Sequence, residues 1–250
     1  MKDIVVAIES MYELGQRANQ EDFIYPSLGC ALCKDTLFIV CDGMGGHESG
    51  EVASATVCGA MSGFLSSQLH GEEFSEELFK GALSAAYDAL DQKDSGAQKK
   101  MGTTMTLLKL HPAGAFMAHI GDSRIYHIRP ATREILYKSR DHSLVNDLYD
   151  IGEITLEQMK TSSQRNIITR VMQPHQKYRS KAEIHAASDV RVGDYFLLCT
   201  DGVLESLEDD NLVNILSMDV SHHEKMNILH QLTQNNKDNH SAYLVYVQGC

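Results

Sequence analysis

Apolar residues along the chain switch repeatedly between a period of two and a period near 3.6, and the switches define the elements. Weak alternation over residues 4–9 predicts a first strand. The polar stretch Gly15–Asp22 then leads into a second, Phe23-Ile24-Tyr25, and residues 31–41 read as a third, ending at Asp42. From Ser49 to about Leu69, Ala53, Val57, Ala60, Phe64 and Leu65 fall on one helical stripe; from about Ser75, Leu78, Phe79, Ala82, Leu83, Ala86, Ala89 and Leu90 mark a second helix. Glu72, Glu73, Glu76 and Glu77 suit the positive end of that second helix and read as structural. After a polar loop at 92–100, short strand-like runs at Met101–Leu110, Ala115–Ile120, Ser123–Ile128 and Glu134–Tyr137 predict an antiparallel meander, with Gly121-Asp122-Ser123-Arg124 at a turn inside it. Helical patches at 143–151 and 155–160 follow, then strands at Tyr178–Ala187 and Tyr195–Thr200. Helices at Asp210–Met218 and from Ser221 to about Gln234 precede a last strand, Ala242–Val247, and the second of them starts with the capping-box pair Ser221 and Glu224. Strands and helix pairs in this order do not alternate β-α-β. They predict an α+β layered sandwich of mostly antiparallel sheets with helices outside, in one domain spanning 1–250.

Two places break the pattern in the same way. Phe38-Ile39-Val40-Cys41 runs into Asp42-Gly43, and Tyr195-Phe196-Leu197-Leu198-Cys199-Thr200 runs into Asp201-Gly202; each is followed by helix-like sequence. A short, wholly apolar run is a strand buried on both faces, so each aspartate is delivered to a strand end beside a glycine that lets the backbone turn. A single Asp-Gly is also a hairpin signal. Its repetition favours the other use of such carboxylates, an oxygen-ligand metal site.

Composition narrows the function classes. A net charge of −12 argues against nucleic acid as the main ligand and fits a carboxylate cluster held by cations, although an acidic solvated surface accounts for much of it. No 18-residue apolar run is present and Met1–Val6 lacks the apolar core of a signal peptide, so no membrane association and a cytoplasmic location are expected. Of the six cysteines, Cys41, Cys58 and Cys199 sit in apolar runs as small hydrophobes. Cys30 and Cys33 have CxxC spacing with no second pair to complete a zinc site, and disulfides are not expected in a reducing compartment.

The candidate chemistry lies in aspartates at element ends: Asp22, Asp42, Asp122, Asp201 and Asp238. Hard carboxylate oxygens without accompanying Cys or His select Mg²⁺ or Mn²⁺ over zinc. Two such ions lower the pKa of a shared water and clamp a phosphoryl group during in-line attack. Arg17, in the loop before Asp22, offers a bidentate grip for phosphate, although an arginine in a polar loop is often only solvated.

These residues also carry a resemblance. Arg17-Ala18-Asn19-Gln20-Glu21-Asp22, Val40-Cys41-Asp42-Gly43-Met44-Gly45-Gly46-His47, Gly102-Thr103-Thr104, Ile120-Gly121-Asp122-Ser123-Arg124, Asp141-His142-Ser143-Leu144-Val145, Thr169-Arg170, Cys199-Thr200-Asp201-Gly202 and Asp238-Asn239 together resemble the ordered motif set of the metal-dependent type 2C Ser/Thr protein phosphatases, the PPM family, in its bacterial branch. The resemblance implies a four-layer α-β-β-α sandwich, two mostly antiparallel sheets flanked by helix pairs. It implies two Mn²⁺ or Mg²⁺ ions, with Asp42 bridging both, the Gly43 carbonyl completing one coordination sphere, Asp201 and Asp238 as further ligands, and Glu21 and Asp22 acting through ordered water. Arg17 would hold the substrate phosphate, Asp122 would belong to a third, weaker ion, and the segment around 143–165 would form a mobile flap. A metal-bridging hydroxide would attack phosphoserine or phosphothreonine directly. Phosphorylated proteins, targets of a Ser/Thr kinase, would be the substrates of a monomer. A catalytically silent phosphoprotein-binding module and a small-molecule phosphomonoesterase are the competing functions.

Two positions depart from the family. Met44 stands where some relatives place a histidine that could act as general acid, and a thioether has no proton to give; Glu205 stands where an aspartate is common near the third ion. Other residues have structural readings beside functional ones: His47 as a loop-fixing hydrogen-bonding residue before a helix or a catalytic imidazole, Thr103 and Thr104 as strand formers, His142 as a structural hydrogen bonder with a role beside the flap left open, and Asp122 equally as a turn residue or a ligand.

Overall fold

Central strands buried on both faces and three separate apolar clusters set the layers. The computed structural model describes residues 4–45, 49–68, 74–94, 96 and 100–249. Gly46 and His47 of the glycine-rich loop, Glu72 and Glu73, and Cys250 lie outside the described residues. The strands are β1 Val5–Glu13, β2 Asp22–Tyr25, β3 Leu37–Met44, β4 Gly102–Thr103, β5 Met105–His111, β6 Gly114–Ile120, β7 Arg124–Arg129, β8 Glu134–Lys138, β9 Glu183–Ala187, β10 Tyr195–Cys199 and β11 His240–Gly249. The helices are α1 Ser49–Gln68, α2 Glu76–Lys93, α3 Leu144–Asp150, α4 Leu156–Thr161, α5 Asp201–Leu204, α6 Asp209–Leu216 and α7 His222–Thr233.

Two sheets form, one ordered β1-β11-β10-β7-β8 and the other β2-β3-β5-β6-β9, with β4 attached to the end of β3. Every pairing between these strands is antiparallel. Phe38, Val40, Leu108 and Met117 of one sheet meet Val6, Ile125, Phe196, Leu198, Tyr243 and Val245 of the other in a buried middle layer. On the outer face of the β3 sheet, Ile39, Cys41, Met105 and Leu107 pack against Val57, Met61, Phe79 and Leu90 of α1 and α2. On the outer face of the β10 sheet, Leu197, Cys199 and Leu244 pack against Leu212, Leu216, Met226 and Leu229 of α6 and α7. Three apolar layers between four structural ones make the α-β-β-α sandwich that the resemblance implies.

Helix starts are chemically marked. The Ser75 hydroxyl accepts from the Leu78 N–H, and the Ser221 hydroxyl accepts from the Glu224 N–H. A reciprocal capping box opens α4 at Thr155 and Gln158.

The structure corrects four expectations. The third strand starts at Leu37 and not at residue 31, because Leu32 and Asp35 close a turn: the Leu32 N–H donates to the Asp35 carboxylate at 2.7 Å and the Asp35 N–H to the Leu32 carbonyl at 2.8 Å. At its other end β3 continues through Gly43 and Met44, which pair with Thr103 and Gly102, so Asp42 lies inside the strand, across from Asp22. The strand predicted from Tyr178 begins at Glu183. Arg179 turns instead toward Asp88 and Asp91 of α2, and the Ser180 hydroxyl donates to the Val171 carbonyl. Finally, the meander is two hairpins in different sheets: β5–β6 belongs to one and β7–β8 to the other. Gly121-Asp122-Ser123 is the crossover between them. Gly121 has φ +108°, and a Cβ there would fall 2.5 Å from the Thr104 side chain, so glycine is what lets the chain change sheets.

Candidate active site

The crossover, the end of β3, the N-terminus of α5 and the entry to β11 deliver carboxylates to one place. Asp22 and Asp42 face each other across the β2–β3 ladder. Asp201 is the first residue of α5, after Thr200 at its cap. The charge that bears most on the Asp42 carboxyl is that of Asp201. Asp238 precedes β11 by two residues, and a Cβ on Gly202 would lie 3.2 Å from its side chain.

The main chain around these acids is fixed by short contacts. The Asp42 N–H donates to the Thr104 hydroxyl at 2.9 Å, and the Asp42 carbonyl accepts from the Thr103 hydroxyl at 2.9 Å and the Thr104 N–H at 2.8 Å. Thr104 also shares a 2.7 Å hydrogen bond with Ser123, so both threonines serve as braces for Asp42. Gly43 donates its N–H to the Glu21 carbonyl at 3.1 Å, and a Cβ there would meet the Gly50 carbonyl oxygen at 2.2 Å. Gly202 has equally little room, with the Asn239 carbonyl oxygen 2.0 Å from its would-be Cβ. Glu21 leans its carboxyl on Gly50 in the first turn of α1, where the helix dipole favours an anion.

Charge crowding is the main electrostatic fact. Burial, followed by the nearby Asp201 and Asp238, pushes the Asp22 carboxyl up to about 7. Burial, Asp201 and Asp141 likewise raise Asp122 to about 7. Asp42 stands well above the ordinary carboxylate range through burial and the charges of Asp201, Asp22 and Asp122. Burial, then Asp238 and Glu205, raise Asp201, and burial raises Glu21. One oxygen on each of Asp22, Asp122 and Asp201 is buried with no hydrogen-bond partner. Buried carboxylates without partners are costly, and a divalent cation is the partner that satisfies several hard oxygens together. The donor set therefore fits Mn²⁺ or Mg²⁺.

The other predicted residues take distinct places. Arg17 is exposed and reaches into the cluster, its guanidinium 2.5 Å from the Asp238 carboxylate. Both oxygens of Glu205 accept main-chain N–H groups, from Lys237 at 2.9 Å and Asp238 at 3.3 Å, so this side chain seats the Asp238 segment. Met44 pairs with Gly102 and brings no proton donor. Cys30 and Cys33 are exposed free thiols away from the acids, and Cys41, Cys58 and Cys199 are buried.

Asn239 and Thr200 do more than their motif membership suggests. Asn239 accepts from the Glu21 N–H at 2.8 Å and donates to the carbonyls of Leu14 and Asn19, lacing the Arg17 loop to β11. Thr200 donates its hydroxyl to Asp22 at 3.0 Å. In the sequence, a polar residue beside each strand-end aspartate is the sole hint of either role.

A family model described as protein phosphatase 2C matches residues 16–241. A putative protein phosphatase 2C-type of Streptococcus pyogenes is 35% identical over 222 residues, covering 85% of both chains. Protein phosphatase PhpP of Streptococcus pneumoniae is 31% identical over 234 residues, covering 91% of both. Among solved structures, the Mycobacterium tuberculosis serine/threonine phosphatase PstP/Ppp superposes with a TM-score of 0.83 at 28% identity, covering 98% of this chain and all of that one. The catalytic domain of PstP in complex with two manganese ions superposes with a TM-score of 0.78 at 27% identity, over 98% of this chain and all of that one.

Proposed function

The chain belongs to the protein phosphatase 2C family, and from that premise we propose that it removes phosphate from serine and threonine side chains of proteins using Mn²⁺ or Mg²⁺ held by Asp42, Asp201 and Asp238. The observation that carries the reading is the convergence of unpartnered, buried carboxylate oxygens from Asp22, Asp122 and Asp201 around Asp42. Two cations bound there supply a water acidic enough to attack phosphorus at neutral pH, together with positive charge for the phosphoryl oxygens.

The rest of the chemistry falls to the chain itself. Asp42, set rigidly by Thr103 and Thr104, and Asp201, the first residue of α5, would hold the ions, with the Gly43 carbonyl as a further ligand. Asp22 and Glu21 would help hold the ions through ordered water. Arg17, paired with Asp238 here, would orient the incoming phosphate by a two-pronged grip. Met44 has no proton to give the leaving alkoxide, so that proton comes from water in the site or from another group. Asp122 takes a further, weaker ion. Phosphorylated targets of a Ser/Thr kinase are the substrates, and the protein acts as a monomer.

The test is phosphate release from a phosphothreonine peptide by metal-stripped protein, with and without added Mn²⁺ and with EDTA as control. Release only with metal is expected. Asp42→Asn and Asp201→Asn should each lose more than about a thousandfold of that activity while staying folded, as expected when a transition-state contact is removed. No release from folded protein with any divalent ion, or either variant within tenfold of the parent, overturns the reading.

A further inference from the structure

His142 is buried, 3% exposed, at the point where the chain leaves the β-sandwich for α3 and α4. That excursion returns to its starting place: Ser143 bridges Ile168, the Leu144 N–H donates to the Ile167 carbonyl at 2.8 Å, and the Thr169 N–H donates to the His142 carbonyl at 2.8 Å. His142 also grips the crossover glycine from two sides. Its N–H donates to the Gly121 carbonyl at 2.9 Å, and its ring Nδ1 accepts from the Gly121 N–H at 3.1 Å. The next residue is Asp122.

The outer nitrogen of the ring has different company. His119, His142 and Glu183 bring three possible ligand atoms within 4.8 Å of one another, the spacing of a cation site. The chemistry does not fit one. The two imidazoles are stacked 4.6 Å apart with planes 10° from parallel, so their in-plane lone pairs do not converge on a point. Burial, His119 and the Arg170 guanidinium push the His142 pKa down to about 4, which leaves the ring neutral near pH 7. A neutral imidazole accepts at one nitrogen. With Nδ1 taken by a main-chain N–H, Nε2 carries the proton and faces the Glu183 carboxylate at 3.5 Å, and the Arg170 guanidinium 3.3 Å away, itself only a donor, packs beside that nitrogen without a hydrogen bond to it.

We propose that His142 is a positioning residue for Asp122: its Nδ1 lone pair holds the Gly121–Asp122 crossover in register with the root of the 143–168 excursion. The path continues inward. Gly121 packs on Thr104, and Thr104 and Ser123 share a hydrogen bond beside the Asp42 main chain. A shift of the excursion's root is thereby passed to the acid cluster through one ring nitrogen. The consequence for metal loading rests on the phosphatase reading above; the positioning itself does not.

The two ring nitrogens can be replaced separately. In His142→Asn the amide oxygen stands near the place of Nδ1, whereas in His142→Gln the polar group reaches the place of Nε2 and leaves the Gly121 N–H without its acceptor. Amide hydrogen exchange at Gly121, followed by heteronuclear NMR on the metal-free proteins, is expected within about threefold of the parent for His142→Asn and at least about tenfold faster for His142→Gln, the effect of losing one buried hydrogen bond. Mn²⁺ titration followed by electron paramagnetic resonance should show the same order, with the weakest site loosened about tenfold only by His142→Gln. Equal exchange in the two variants, or the reverse order, overturns the proposal, since a residue serving only Glu183 and Arg170 prefers glutamine. If the parent neither binds Mn²⁺ nor releases phosphate, the phosphatase reading falls, while the exchange result still decides the positioning role.

Discussion

Replacing Asp22 by Asn isolates what the acid cluster costs the fold when no cation is bound. Asp22 is 1% exposed, and its carboxyl moves from an ordinary value of 3.8 up to about 7, chiefly through burial and then through Asp201 and Asp238. A carboxyl that holds its proton more tightly in the folded state gives extra stability below the unfolded-state pKa, and that contribution drains away as pH rises through the folded-state pKa. The window runs from about pH 4 to about pH 7. At 1.36 kcal/mol per pKa unit, this one residue withdraws about 3–4 kcal/mol across it, a large part of the roughly 5–15 kcal/mol that holds a domain together. The Asn variant has no such proton and keeps the Thr200 contact available. In EDTA it should match the parent near pH 4 and exceed it by about 3 kcal/mol near pH 7.5. Urea unfolding followed by far-ultraviolet circular dichroism measures this; the chain has no tryptophan to report by fluorescence. Comparing variant with parent at each pH matters because His119 and His142, whose pKa values are lowered by burial, add a trend of opposite sign. Adding Mn²⁺ should stabilise the parent and erase or invert the difference. A gap between the two proteins that stays constant from pH 4 to pH 7.5 would refute the reasoning.

Three further outcomes are expected. Asp194→Ala should cost about 2–4 kcal/mol in urea unfolding, because it takes the hydrogen-bond partner at 2.9 Å from the buried His127 ring and leaves Arg129, bonded to it at 2.8 Å, with only the exposed Asp189 as counter-charge. Burial opposes ionisation of Asp194, but bonds from His127 and Arg129 prevail and hold it at about 2, so its contribution should persist above pH 4 and fade only as pH drops from 3.8 toward 2. Gly202→Ala should destabilise by about 2–4 kcal/mol in thermal unfolding and depress metal-dependent turnover, since its Cβ would sit 2.0 Å from a main-chain oxygen that cannot step aside. Arg17→Lys should raise KM for a phosphopeptide about tenfold with kcat within about threefold, because an ammonium lacks the two-pronged grip; an unchanged KM in steady-state assays removes Arg17 from phosphate binding.

How much of this was legible in the chain depended on range. Signals carried by neighbouring residues read well: the stripes of α1 and α2, the serine cap at Ser221, and the two apolar runs ending in Asp-Gly. The family motifs brought the layer order and the candidate acids. Features that need a distant partner were missed. Nothing local to residues 115–128 says that β6 and β7 belong to different sheets, because the reason is the Thr104 methyl standing where a Gly121 side chain would be. The strand expected at 178–182 had suitable residues and lost to Asp88 and Asp91, which attract Arg179 to α2. Asn239 looked like one polar residue of a motif, yet it ties together the loops at Leu14, Asn19 and Glu21. Glu205 stood out only as a departure from the family, and its hold on the Lys237 and Asp238 main-chain N–H groups had no signal in the sequence.

The strand order carries a consequence for how the molecule is made. β1 has one neighbour in its sheet, β11, so Val6 waits for Val247 before it can pair. Asp22 and Asp42 emerge early and share a local hairpin, whereas Asp201 and Asp238 come from the last fifth of the chain. During synthesis the α1–α2 side of the sandwich can assemble on β2, β3, β5 and β6 while the opposite sheet still lacks its central strands, β10 and β11. Such long-range closure is slow. A nascent chain therefore carries Glu21, Asp22, Asp42 and Asp122 without Asp201 and Asp238, and the acid cluster is complete only after nearly all of the chain has been translated.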